Sequence, residues 1–385
     1  MNAGSKIYFD YNATTPVDQR ALDAMMPYFN RAFGNPSSSG HPYGWEAEEA
    51  VELAREQTAE LIGAHPGEIY FTSGATEAAN LAIKGLCGHS SNRGNHLITC
   101  ATEHKAVLET CRSLEEAGYR LTWLPVDENG AIDLGELEDA ITDDTALVAL
   151  MQANNETGTI HPIDKISELT RAHNVPLFTD ATQAVGKIPV NVKEMGADML
   201  AFSSHKLYGP KGAGALYISR DGKPDLAPIL HGGAHEKGLR PGTLNVPGIV
   251  GFGKACELCA AERQAEAKRL GRLRDRLESE LSELEGILFN GDKGNRLPHT
   301  TSISFGDIDG SNLLRQLKGL ALSQGSACSS ATQKPSHVLK AMGHSDELAR
   351  STIRISLGRP TTGEEINYAI ATIKKVIPQL KLSSP

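Results

Sequence analysis

The chain has 385 residues, 40% hydrophobic and 22% charged, with 38 basic against 47 acidic side chains and a formal net charge of −9. Such a chain has room for two domains and a large core. The acidic balance disfavours nucleic acid or an anionic membrane as main partner, and no apolar run is long enough to span a bilayer. The stretch Met1 to Lys6 has neither a signal-like apolar core nor an arginine-rich presequence pattern, so the expected location is the cytoplasm.

Ile7-Tyr8-Phe9 reads as a short strand ending in the polar turn Asn12-Ala-Thr-Thr-Pro16. Phe33-Gly-Asn-Pro-Ser-Ser38 is a loop, and Ala47, Ala50, Val51, Ala54, Leu61 and Ile62 mark one face of a helix stopped by Gly63. Strand Ile69–Thr72 then runs through Ser73-Gly-Ala-Thr-Glu77 into a helix. The free N–H groups at such a helix start suit a phosphate, although neither common nucleotide-loop fingerprint is present. Strands and helices go on alternating through a strand at 215–218, which predicts a mostly parallel sheet covered on both faces.

Ligands of such sheets lie off the carboxyl ends of the strands. Five polar clusters follow strands here: Ser73–Glu77, Thr102–His104, Asn154–Thr157, Asp180–Gln183 and Ser203–Lys206. They are expected to converge on one rim. Lys206 stands out, in a Ser-Ser-His-Lys sequence followed by Gly209, Pro210 and Gly212. A desolvated lysine can form a Schiff base with an aldehyde. Pyridoxal phosphate would find what it needs on this rim. Lys206 would carry the aldehyde, Asp180 would face the ring nitrogen, and His104 would lie over the ring. Asn155 and Gln183 would bond the ring oxygen, and the Ala75 and Thr76 amides with Ser203 and His205 would seat the phosphate. Each residue has a blander role open to it, such as His104 merely capping the helix that follows.

After about residue 260 the texture changes to a long charged helix, then short strands at 301–305, 321–323 and 353–357, and a last helix opened by a Thr362–Glu365 capping box. Cysteines at 87, 100, 111, 256, 259 and 328 are too sparse for a disulfide framework. Cys256-x-x-Cys259 lies in a helical stretch without further metal ligands and reads as small apolar packing, so no intrinsic metal is expected. Cys328 differs. Its loop, Gln324-Gly-Ser-Ala-Cys-Ser-Ser330, offers no apolar neighbours, which suits a reactive thiol.

The ordered segments Asn12–Pro16, Phe33–Ser37, Phe71–Glu77, Thr102–Val107, Asn154–Gly158, Asp180–Gln183, Ser203–Lys206, Arg240–Thr243, Gly325–Ser329 and Arg354–Gly358 resemble the cysteine desulfurases of iron–sulfur cluster assembly, within the class-V pyridoxal-phosphate enzymes. The resemblance implies an α/β fold of fold-type I, a large domain (15–260) with a mostly parallel seven-stranded sheet and a smaller α+β domain (1–14 and 261–385). It implies conversion of L-cysteine to L-alanine, with Lys206, His104 and Cys328 catalytic and a persulfide forming on Cys328. Ala75, Thr76, His104, Asn155, Asp180, Gln183, Ser203, His205 and Lys206 match cofactor positions. Thr243 matches a residue reaching the neighbouring subunit's phosphate, hence a homodimer. Arg354 matches the arginine that binds the substrate carboxylate, with Asn155, Asn35 and Asn12 as further substrate contacts. The implied partner is an iron–sulfur scaffold or other sulfur acceptor, with Cys328 in some relatives a transient cluster ligand shared with the scaffold. Pro241 and Gln324 stand where the family usually has serine. An aminotransferase or selenocysteine lyase of the same family would not need Cys328, and a non-catalytic sulfur carrier would bind no cofactor.

Overall fold

Runs rich in β-branched and aromatic residues form the strands, and the glycines between them set how closely the elements approach. The structure is a computed structural model that describes residues 6–89, 94–221, 224–308, 310–325 and 335–382. Its strands, in chain order, are β1 (Ile7–Tyr8), β2 (Ile69–Thr72), β3 (His96–Cys100), β4 (Arg120–Leu124), β5 (Thr145–Ala149) and β6 (Leu177–Asp180). They continue with β7 (Met199–Ser203), β8 (Gly214–Ile218), β9 (Ile287–Asn290), β10 (Thr300–Phe305), β11 (Leu320–Ala321) and β12 (Thr352–Ser356).

Seven strands form the main sheet in the order β2-β8-β7-β6-β5-β3-β4. The run from β7 to β4 is parallel, and β8 lies antiparallel between β7 and β2. Every residue of β2, β3, β5, β6, β7 and β8 is buried, as two-sided cover by helices requires. Because β8 reverses twice, the last residue of β2 and the first of β8 sit on the same rim as the carboxyl ends of the parallel strands. A Cβ on Gly214 would come within 2.6 Å of the Gly74 Cα, so bare backbone is needed where β8 starts beside the β2 turn.

The helix Val246–Leu281 is longer than the charged pattern implies, because its first turns are apolar and pack against the helix Pro42–Leu61. Gly253 permits that contact, since a Cβ there would meet the Ala54 Cα at 2.5 Å. Cys256 and Cys259 lie on this buried face, inside the core on one side of the main sheet. The far end of the same helix, with Leu270, Leu277 and Leu281, joins a second core. There Ile7 and Phe9 pack with Phe305, Ile353, Ile355 and Ile373 around the sheet β12-β10-β9. The N-terminal strand therefore reaches across to pair with β11 before the chain enters the main sheet.

Candidate active site

The five polar clusters meet on one rim and enclose a cavity of about 470 Å³. Asn12, Ala75, Thr76, His104, Asn155, Asp180, Gln183, Ser203, His205, Lys206 and Arg354 all line it. Asn35 and Thr243 do not. Both are exposed, and the Asn35 carboxamide is taken up by the Ser37 N–H in a local turn. Cys328 lies outside the described residues.

Lys206 ends a short 3-10 turn, Ser204–Lys206, that follows β7. Tyr208, two residues on, has φ +65°, which turns the chain back sharply. The segment 12–18 straps this turn. Thr15 N donates to the His205 carbonyl at 3.0 Å, Tyr208 N to Thr15 Oγ1 at 2.9 Å, and Asp18 N to the Tyr208 carbonyl at 2.9 Å. The Lys206 amine donates to the carbonyls of Asn12 and of Ala13, the latter at 2.7 Å. These two bonds hold it at the cavity wall.

Asp180 ends β6, buried, with Oδ1 accepting the Thr182 N–H at 2.9 Å. Thr182 also lines the cavity, and its hydroxyl is buried without a partner among the described residues. The sequence reading missed Thr182, although it stands inside the Asp180–Gln183 motif. Gln183 Nε2 donates to the Asn12 carbonyl at 3.0 Å. The Asn12 carboxamide is already committed: Nδ2 donates to the Asn155 carbonyl and Thr300 Oγ1, and Oδ1 faces His299 Nε2 at 2.9 Å. Asn12 therefore ties the cavity to β10 instead of pointing a free amide into it.

His104 does both jobs open to it. Its Nδ1 accepts the Ala106 N–H at 3.1 Å, capping the helix Lys105–Glu116, and the same ring forms cavity wall. With Nδ1 accepting, the neutral ring carries its proton on Nε2. Burial lowers its pKa, and the Lys206 cation adds to this against the opposing pull of Asp180. His205 is lowered to about 4 by burial and by the Lys206 and Lys211 cations, while its Nδ1 faces Thr14 Oγ1 at 3.1 Å.

The helix Ala75–Cys87 starts at Gly74, whose φ of +151° favours glycine, and no side chain caps it. Its first internal bond is Ala78 N to the Gly74 carbonyl, so the Ala75, Thr76 and Glu77 amides are spare within the helix. An anion in this corner would meet those amides and the positive end of the helix dipole. Glu77 is held by Arg240 at 2.7 Å and accepts the Ser73 N–H, which lowers its pKa despite burial.

The described cysteines, at 87, 100, 111, 256 and 259, are buried free thiols. Burial raises the pKa of each, which leaves them poorly reactive. No group of three or more His, Cys, Asp or Glu that could hold a metal occurs among the described residues, and none of the described helices is long and apolar enough to cross a membrane.

The chain belongs to the aminotransferase class-V family, whose pattern matches residues 7–368. Within it, the chain belongs with the cysteine desulfurases. It is 51% identical to the cysteine desulfurase IscS of Colwellia psychrerythraea over 381 residues, covering 98% of this chain and 94% of that protein. Identity to the IscS of Pasteurella multocida is also 51%, with the same coverage. Among solved structures, a NifS-like protein superposes with a TM-score of 0.90 at 41% identity, covering 97% of this chain and all of the other. SspA in complex with cysteine superposes with a TM-score of 0.81 at 39% identity, covering 92% and 99%. The family is pyridoxal-phosphate dependent.

Proposed function

We propose that the chain is a cysteine desulfurase that uses pyridoxal phosphate to convert L-cysteine to L-alanine and passes the sulfur to an acceptor through Cys328. The observation that carries this reading is the convergence of Lys206, Asp180, His104, the Ala75 helix start and Arg354 on one cavity. The donor set fits the cofactor: the spare amides and Ser203 suit its phosphate, Asp180 its ring nitrogen, Gln183 and Asn155 its ring oxygen, and Lys206 its aldehyde. When bound, pyridoxal phosphate supplies an electron-withdrawing ring that takes up the electron pair left at the substrate Cα.

The protein's own groups do the rest. Arg354 holds the substrate carboxylate, using a fork that matches its geometry. Lys206 takes the Cα proton, and neutral His104 is a second proton-transfer group on the same cavity. The Cys328 thiolate attacks the substrate sulfur, and an S–S bond forms as the substrate C–S bond breaks. The electron pair of that bond stays with the substrate carbon, which is protonated to give alanine. One cysteine and one enzyme thiol thus become one alanine and one persulfide, with no external oxidant.

Thr243 would act across a homodimer, and the exposed apolar side chains Met26, Phe29, Phe33, Tyr43 and Trp45 support a covered face. We read the chain as two domains divided near residues 14 and 260, which the separate core around the sheet β12-β10-β9 supports. The acceptor is read as an iron–sulfur scaffold or another sulfur carrier. The buried free thiols suit the reducing cytoplasm. The test is alanine formation from L-cysteine by the holoenzyme with a reductant present. Wild type is expected to produce alanine and Cys328→Ala is not. Alanine from both would overturn the Cys328 route, and alanine from neither would overturn desulfuration.

A further inference from the structure

Arg354 is the bulkiest of the fully buried side chains, 2% exposed, so its charge must be answered inside the protein. Nη1 donates to the Asn155 carbonyl at 2.8 Å and Nη2 to Asp10 Oδ1 at 2.7 Å. Nε is buried without a partner among the described residues. A guanidinium has five N–H groups, so these two bonds leave three, the Nε–H among them.

Asp10 is set in place by backbone. The segment after β1 runs beside β12, with Phe9 N bonded to the Ala321 carbonyl, Ser356 N bonded to the Phe9 carbonyl, and Asp10 bridged to Ser356. The Tyr8 hydroxyl donates to the carbonyls of Asp10 and Thr14 at 3.0 and 3.1 Å. Asp10 and Arg354 therefore approach from neighbouring backbones of one core, while Asn155 reaches the fork from the loop after β5.

We propose that Asp10 is a positioning residue that tunes Arg354 for substrate carboxylates. This rests on the reading of Arg354 as the carboxylate-binding group. A free arginine would lose much rotamer freedom on binding substrate. Here a carboxylate on one nitrogen and a carbonyl on another fix the plane of the fork beforehand. The Asp10 charge also compensates a guanidinium that is otherwise costly to keep in a dry wall. An incoming carboxylate meets a fork that is already oriented and has N–H groups still to give, whereas an amine lacking a carboxylate gains nothing from it.

The test uses holoenzyme and two ligands: L-cysteine, and cysteamine, which lacks the carboxylate. Asp10→Asn is expected to raise KM for L-cysteine about tenfold with kcat within about twofold, the pattern of lost binding without lost chemistry. The cysteamine titration, followed by the visible absorbance of the bound cofactor, is expected not to move. Equal weakening of both ligands would mean a general structural role and overturn the proposal. A fall in KM would mean that Asp10 competes with substrate for the fork, and would also overturn it. Should Asp10→Asn not fold, Asp10→Glu keeps the charge but shifts it, and the same selective rise in KM is expected; equal loss for both ligands overturns. Arg354→Lys separates the two readings: an unchanged KM for L-cysteine would remove the carboxylate role of Arg354 itself, and the Asp10 proposal with it.

Discussion

Two cations face the same cavity, and their hydrogen bonds go to different kinds of acceptor. The Lys206 amine leans on two backbone carbonyls, whereas the Arg354 guanidinium is paired with the Asp10 carboxylate. Neutral hydrogen bonds contribute a net ~0.5–1.5 kcal/mol each, while breaking a buried ion pair by removing one partner costs about 3–5 kcal/mol. The difference matches the roles proposed above for the two groups. A lysine that reacts has to leave its resting bonds and exchange protons and partners, whereas an arginine that binds a carboxylate has to stay where it is.

The comparison can be broken from either side. The largest effect is expected from Lys206→Ala, which removes the reacting amine; alanine formation should fall by at least ~10²–10⁴-fold, measured by product assay on cofactor-soaked protein. An active Lys206→Ala enzyme would mean that another group does this chemistry. His104→Asn is next, with a loss of about 10²-fold in kcat if the ring moves protons. Because the Asn Oδ1 can still accept the Ala106 N–H in place of Nδ1, an unchanged kcat would reduce His104 to its capping role.

Much of this cavity is legible in the sequence, because period-2 and period-3.6 patterning locate the strands whose ends carry Asp180, Lys206 and the Ala75 helix start. Helix ends were harder to read. The helix expected after the Ser73–Glu77 turn already begins at Ala75, since Gly74 can take a φ that lets the turn close early. The strap from Asn12 to Asp18 over the Lys206 turn was not legible, because hydrogen bonds between residues nearly 200 positions apart leave no local pattern. The commitment of the Asn12 amide to Thr300 and His299 was hidden for the same reason. The ion pair of Asp10 with Arg354 needs the parallel bridge to β12, which no window of sequence reveals.

A smaller effect is expected from pH. Free histidine has a pKa near 6.5, and His205 in the folded chain is lowered to about 4. The unfolded chain therefore binds more protons than the folded one between these values, and stability is lost as pH falls from about 6.5 towards 4. In cofactor-free protein, His205→Asn should flatten that part of the stability profile, measured by denaturant unfolding at several pH values. An unchanged slope would mean that His205 titrates alike in both states. Cofactor should also reduce the slope, because its phosphate favours the charged imidazole.

The smallest effect is expected at Gln324, where the family usually has serine. Its Nε2 donates to the carbonyls of Gly310 and Arg350 at 2.8 and 3.1 Å. Gln324→Ser removes both bonds and should cost about 1 kcal/mol in denaturant unfolding. A loss several times larger would place this residue in the core of the fold's stability.

The most direct test of the central claim is the mass of the peptide containing Cys328, taken after holoenzyme meets L-cysteine without reductant. One added sulfur atom on that peptide, matched by one alanine per subunit, is the predicted result. Alanine released while Cys328 stays unmodified would contradict it.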